Sequence, residues 1–365
     1  MATHEYYMAR ALQLAARGLF TTDPNPRVGC VIVKDDHIIA EGWHQRAGEG
    51  HAEVNAIANA GGAAKGSDCY VTLEPCSHFG RTPPCADLLV NAGVKRVFIA
   101  MRDPNPVVSG NGIKRLQDAG IDVTVGVLTQ QAEDLNPGFC KRMRTGMPYV
   151  RAKIAMSLDG RTAMSSGESK WITGPEARQD VQKLRARSSA ILSGMGTVIA
   201  DDPAFTIRPE GDWYPEQQPV RQALKVIVSA HSTLPNDCQL LSNKDDLLLV
   251  GTKTQPGIPD DINVLTVAEK NGGVDLHALM IELGQREMNE VMVEAGSVLN
   301  GALLDAGLID ELIIYMAPKI MGDSARGIFH LPELQAMSQN IELTITDIRA
   351  VGKDWRITAK PSQRG

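Results

Sequence analysis

TLEPCSHFGRTPPC, residues 72–85, opens on the end of a short apolar run, Cys69 to Leu73, and closes on a proline pair that suits the first turn of a helix. It reads as a strand, a loop and a helix start. Cys76 stands at the strand's end, and Cys85 lies among helix N-terminal amides, which favour a thiolate. Upstream, His51-Ala52-Glu53 begins another helical stretch. Together these segments supply one imidazole, two potential thiolates and one spare carboxylate. Structural zinc closes its tetrahedron with four protein ligands, whereas catalytic zinc takes three and leaves the fourth position to water, whose pKa it lowers to about 7. His51, Cys76 and Cys85 are accordingly expected to hold Zn2+, and Glu53 to carry protons without ligating. Cys30, Cys69, Cys140 and Cys238 lack such company and read as core residues.

Outward from this point, short β-branched runs alternate with helical stretches. Val28 to Lys34, Ile38 to Trp43, the helix from His51, Cys69 to Leu73, the helix after Pro84 and Arg96 to Ala100 form the first series. A helix after Asn111, a strand Ile121 to Val127 and one helix from Thr129 to about Arg144 complete it, and Gly146-Met147-Pro148 breaks it. A second series runs from the strand Tyr149 to Ser157 through a helix Pro175 to Ser188 and strands at Ala190 to Ser193, Leu224 to Ser229 and Leu247 to Val250. It ends with a helix from Asp275, the strand Glu290 to Glu294, a helix from Ser297 and the strand Glu311 to Ala317. Such alternation predicts α/β architecture with partly parallel sheets. At 365 residues the chain suits two domains, placed at 1–146 and 147–365. Pro209 to Pro219, with three prolines and few apolar residues, reads as an exposed loop.

Lys and Arg number 37 against 43 Asp and Glu, a net charge of −6 that gives no footprint for nucleic acid or anionic membrane. Residues 1–20 scatter His4, Glu5, Arg10 and Arg17 where a secretory signal needs an apolar core, so they read as an amphipathic helix. No apolar run approaches the roughly 18 residues of a membrane span. Six cysteines are too sparse for a disulfide scaffold. The expectation is a soluble, cytoplasmic protein that acts on small molecules, with neither nucleic acid nor membrane as partner.

The H-x-E and P-C elements resemble the cytidine-deaminase superfamily, in which a glutamate serves as general acid and base beside zinc. The eight residues between Cys76 and Cys85, with Asn25-Pro26 and Val28-Gly29 upstream and Met101 to Pro106 downstream, resemble the deaminase half of the bifunctional riboflavin-biosynthesis deaminase/reductases. That resemblance implies a cytidine-deaminase-like α/β/α sandwich. It also implies pyrimidine and phosphoribose contacts at Asn25, His44, His78 and Arg81.

The second half has no G-x-G-x-x-G dinucleotide fingerprint near its start. Two glycine-bearing turns remain, Ser193 to Thr197 and Glu294 to Ser297; the latter precedes a helix, whose N-terminal amides suit an anion. Ser157 to Gly160, Gly167 to Thr173, Ala200 to Pro203 and Val293 to Gly296 are similar to the dihydrofolate-reductase-like α/β half of the same family. The resemblance implies NADPH at Ala155, Trp171, Thr197, Asp201 and the turn Gly296, Ser297, Val298, Leu299, Asn300, Gly301 and Ala302. It implies substrate at Lys153, Ser169, Ile172, Thr173, Arg185, Phe205, Arg208 and Glu294, with Arg185 and Arg208 on the phosphate and Lys153 or Asp201 as proton source. The family usually carries Asp followed by Ser or Thr after the strand Lys225 to Val228, where this chain has Ser229-Ala230.

The implied activity is zinc-dependent hydrolytic removal of a 2-amino group from a diaminopyrimidinone bearing phosphoribosylamine, followed by NADPH-dependent reduction of ribosyl to ribityl, in a homo-oligomer. Two rivals are an RNA deaminase and a non-catalytic zinc scaffold. The first is disfavoured by the acidic charge and 4% aromatics, the second by the free carboxylate of Glu53.

Overall fold

The computed structural model describes residues 3–77, 83–106, 108–215, 219–230, 233–253 and 258–362. The chain divides into two compact units, Met1–Gly146 and Met147–Gly365.

The first unit runs α1 (His4–Ala16), β1 (Gly29–Lys34), β2 (His37–Trp43), α2 (Ala52–Ala60), β3 (Asp68–Leu73), α3 (Cys85–Ala92), β4 (Arg96–Met101), α4 (Asn111–Asp118), β5 (Asp122–Val125), α5 (Thr129–Leu135) and α6 (Pro137–Thr145). Its five-stranded sheet has the order β2-β1-β3-β4-β5, with β1 antiparallel to both neighbours and β3, β4 and β5 parallel. Helix α1 is capped by the Thr3 side chain and buries Tyr7, Met8, Ala11, Leu14 and Ala15, a stripe at helical spacing. It packs on the sheet near α5, whereas α2, α3 and α4 neighbour one another, giving an α/β/α sandwich. Helix α2 approaches β2 backbone to backbone: a Cβ on Gly42 would come within 2.5 Å of the Ala52 carbonyl oxygen. Glycine there seats the helix whose start carries His51 and Glu53.

The single helix expected over residues 129–144 is two. Proline has no N–H and disfavours helical geometry in the residue before it, so the chain breaks at Asn136 ahead of Pro137. The Asn136 side chain accepts from the Arg27 N–H and donates to the Arg27 carbonyl, which ties the break to the entry of β1.

The second unit runs β6 (Tyr149–Ser157), β7 (Arg161–Ala163), α7 (Pro175–Arg187), β8 (Ala190–Gly194), α8 (Met195–Asp201), β9 (Leu224–Val228), β10 (Leu247–Gly251), β11 (Asn263–Thr266), β12 (Glu269–Lys270), β13 (Gly273–Val274), α9 (Leu276–Gln285), β14 (Glu290–Val293), α10 (Ser297–Asp305), β15 (Glu311–Ala317), β16 (Arg326–Gly327), β17 (Leu343–Val351) and β18 (Asp354–Pro361). Nine strands form one sheet, β11-β10-β9-β8-β14-β6-β15-β18-β17. It is parallel from β11 to β15 and closes with antiparallel β18 and β17. The central strands β8 and β14 are buried, as parallel strands covered on both faces are, and mostly apolar; Glu290 at the start of β14 is paired with Arg151 and Arg187. Helix α8 and the hairpin β17–β18 were not anticipated from the sequence. Within the loop Pro209 to Pro219, Tyr214 is buried, and its hydroxyl donates to the Pro219 carbonyl and accepts from the Arg221 N–H.

Candidate active sites

In the first unit His51 immediately precedes α2, Cys76 follows β3 and Cys85 is the first residue of α3. The His51 Nδ1 lies 3.7 Å from Cys76 Sγ and 3.4 Å from Cys85 Sγ, and the Cys85 N–H donates to Cys76 Sγ at 3.3 Å. Sulfur and nitrogen bound at about 2.3 and 2.0 Å around a tetrahedral centre stand roughly 3.5 Å apart. The spacing therefore fits zinc, and among the described residues this is the one such cluster of His, Cys, Asp and Glu. Contact with Cys85 and His51 outweighs burial and lowers the Cys76 thiol to about 4, while the Cys76 contact and burial push Cys85 up. Cysteine binds zinc as thiolate, so loading the site releases protons.

Glu53, in the first turn of α2, is 3% exposed, and burial raises its carboxyl to about 7. His44 lies edge-on to His51, ring centroids 5.6 Å apart. Its Nδ1 is 3.1 Å from the Gly50 carbonyl, which only accepts, and burial lowers its pKa. The ring is thus neutral with the proton on Nδ1, leaving Nε2 to accept from the Asn25 amide at 3.1 Å. Asn25 and His44 therefore stand beside the cluster. His78 and Arg81 lie outside the described residues.

The second unit contains a cavity of about 1220 Å³ at the carboxyl ends of β8, β9 and β14. Ligands of parallel α/β sheets bind at such ends, and the volume exceeds that of an ordinary small-molecule pocket, about 300–1,000 Å³. Lys153, Ala155, Ser169, Trp171, Ile172, Thr173, Arg185, Thr197, Asp201, Phe205, Arg208 and Glu294 all line it. Of the turn after β14, Gly296, Ser297, Val298, Leu299 and Ala302 do so, and the start of α10 has no side-chain cap, which leaves its amides for a phosphate. Asn300 and Gly301 depart from expectation. The Asn300 amide turns inward to donate to the Ala295 carbonyl, and Gly301 packs on the His330 backbone, where a Cβ would come within 2.2 Å of an oxygen.

The charges are arranged unequally. Arg185 grips Glu294 with Nε at 2.6 Å and Nη2 at 3.0 Å, the side chains 14% and 10% exposed, while Nη1 donates to the Thr206 carbonyl at 3.3 Å. Burial alone would raise Glu294, but Arg185 and Lys153 outweigh it and hold the carboxyl below its usual range. Burial, helped by Arg185, lowers Lys153. The Asp201 carboxylate accepts from the Ser169 hydroxyl at 3.1 Å, and its carbonyl accepts from Lys170 Nζ at 3.0 Å. Arg208 is exposed at the cavity wall and uses its backbone N–H on Gln182. The two arginines expected on the phosphate both line the cavity but differ in surroundings: Arg185 is paired with Glu294, whereas Arg208 is exposed.

Residues 1–101 match the cytidine and deoxycytidylate deaminase zinc-binding region, and residues 148–357 match the RibD C-terminal domain. The riboflavin biosynthesis protein RibD of Escherichia coli is 53% identical over 357 residues, covering 96% of this chain and 97% of its own. The chain belongs to the RibD family. The RibD of Haemophilus influenzae is 50% identical over 364 residues, covering 97% and 96% of the two chains. The solved RibD of Acinetobacter baumannii superimposes with a TM-score of 0.93 at 46% identity over 99% of both chains. A Thermotoga maritima diaminohydroxyphosphoribosylaminopyrimidine deaminase/5-amino-6-(5-phosphoribosylamino)uracil reductase gives 0.87 at 32% over 98% and 99%.

RibD proteins join a zinc-binding deaminase region to an NADPH-dependent reductase domain, and both donor sets found here fit those cofactors. Ser229 and Ala230, where this chain departs from the RibD pattern, line the cavity near the end of β9. Sequence reading passed over Lys170 and Arg178, both cavity residues; Arg178 stacks on Trp171 at 4.7 Å. Lys170 lay within the quoted Gly167 to Thr173 segment, whereas nothing in the sequence marked Arg178. Among the described residues no helix is long and apolar enough to cross a membrane.

Proposed function

We propose that the first unit carries the deaminase centre, at His51, Cys76, Cys85 and Glu53, and the second unit the reductase centre, in the cavity lined by Lys153, Asp201 and Glu294. The protein is a bifunctional deaminase and reductase of riboflavin biosynthesis, using zinc and NADPH. In the first step water replaces the 2-amino group of 2,5-diamino-6-(5-phosphoribosylamino)pyrimidin-4-one, giving 5-amino-6-(5-phosphoribosylamino)uracil and ammonia. In the second the ribosyl group is reduced to ribityl. The observation that carries this reading is a three-donor cluster with a buried carboxylate beside it that is left out of the donor set.

Zinc, when bound, supplies the Lewis acidity that makes a water nucleophilic near neutral pH. Glu53 takes the proton from the attacking water and returns it to the departing nitrogen, a shuttle that suits a buried carboxylate of raised basicity. The neutral His44 fixes the orientation of the Asn25 amide, which offers the pyrimidine its remaining donor and acceptor, and His44, His78 and Arg81 complete this substrate set by resemblance. NADPH, when bound, supplies the hydride. Lys153, whose pKa burial lowers, is the group best suited to give a proton at the sugar, with Asp201 as the alternative source. Arg185 fixes Glu294 for the sugar hydroxyls, and Arg208 meets the phosphate.

The six cysteines are free, in keeping with a reducing, cytoplasmic compartment. Strand β17 is an exposed edge, with Leu343, Ile345 and Ile348 44–56% exposed, which supports a homo-oligomer. Ammonia release and NADPH oxidation, measured on the free phosphoribosylaminopyrimidine and on its deaminated product, test the assignment. Absence of ammonia from any free pyrimidine nucleotide tried contradicts it.

A further inference from the structure

Glu74, the residue after β3, is 5% exposed and belongs to neither reaction centre as described above. Its carboxylate accepts from four backbone N–H groups. Oε1 takes Gly112 at 3.0 Å and Ile113 at 3.3 Å, in the first turn of α4, and Oε2 takes Asp103 at 3.2 Å and Gly110 at 3.0 Å. A carboxylate satisfies helix-start amides and the helix dipole together, and each of these bonds is charge-assisted. The next residue is held from the same side: a Cβ on Gly112 would come within 2.0 Å of the Pro75 carbonyl oxygen, so α4 presses directly on Pro75. Cys76 follows, and its own carbonyl and sulfur are fixed by the N–H groups of Ala86 (3.1 Å) and Cys85 (3.3 Å). The chain from Glu74 to Cys76 is thus pinned at both ends.

We propose that Glu74 is a positioning residue of the deaminase centre, clasping α4 to the segment after β3 and thereby holding Cys76 at ligand distance from His51 and Cys85. The proposal rests on the ligand assignment made above. Glu74→Gln has the same shape but sets an amide NH2 against two N–H donors, so the clasp loses half its acceptors.

The test measures zinc affinity of the full-length chain by competition with a chromophoric chelator, and the sulfur-to-metal absorption band of the cobalt-loaded protein. Glu74→Gln weakens zinc binding about 10- to 100-fold and alters the band, whereas Leu116→Ala, a buried change in the same helix, lowers thermal stability and leaves affinity within about twofold. Unchanged affinity and band in Glu74→Gln overturn the proposal. So does an equal loss of zinc in the two variants at equal loss of stability, which makes the role merely structural. If Glu74→Gln does not fold, Glu74→Asp, which keeps the charge but withdraws it by one methylene, decides on the same two readouts. Cys76→Ser loses zinc; wild-type affinity there overturns the ligand assignment, and the clasp with it.

Discussion

The Arg185 guanidinium holds the Glu294 carboxylate through two nearly parallel hydrogen bonds, across 109 residues of sequence and inside the cavity of the second unit. Removing one partner of such a pair leaves the other as an uncompensated charge, at about 3–5 kcal/mol. Arg185→Gln is therefore expected to lower thermal stability well beyond a surface change, and to reduce the reductase kcat more than it raises KM. A raised KM with unchanged kcat and stability contradicts this role.

The same pair makes a pH-dependent prediction. Glu294 is held below its ordinary 4.5, so its ionised form favours the folded state; that stability is complete above pH 4.5 and is lost as pH falls through the lower folded value. In Arg185→Gln the main opposing charge is gone and burial raises the carboxyl instead. The gap in melting temperature between wild type and variant should then be widest near pH 7 and shrink toward pH 4. A gap that is constant with pH refutes the linkage.

Arg208 is the freer cation. Arg208→Ala should raise KM for the phosphorylated substrate of the reductase by roughly 2 to 3 kcal/mol in binding and leave the dephosphorylated analogue almost unaffected. Equal losses on both substrates contradict phosphate reading.

Much of this was legible in sequence because the chemistry-bearing residues sit at element ends. His51 before a helix, Cys76 after a strand and Cys85 behind two prolines could each be placed by local rules, and Gly194 and Gly296 marked strand ends that line the cavity. Pairings made across the fold were not legible. Arg185 reads as a helix-surface charge until Glu294, carried by another strand, is brought beside it. Glu74 reads as one more residue of a motif until the fold brings four amides to it, two of them from the first turn of α4. The helix break at Asn136 was missed although Pro137 announced it. Helix α8 was hidden because Gly194-Met195-Gly196 reads as a turn, and glycine is a poor helix former.

The two contact units, divided at Gly146, make a further outcome checkable. Residues 1–146 expressed alone should bind zinc and release ammonia from the first substrate without a nicotinamide cofactor. A fragment that folds and holds zinc yet stays inactive shows that the second unit is needed to complete the first site.

The most direct test of the central claim is paired measurement of zinc content and ammonia release in Glu53→Gln. The side chain keeps its shape but loses the capacity to carry a proton, and it is not one of the three donors. The account predicts about one zinc per chain, as in wild type, with deamination abolished and NADPH-dependent reduction of the deaminated product intact. Retained ammonia release by the zinc-loaded variant would contradict it.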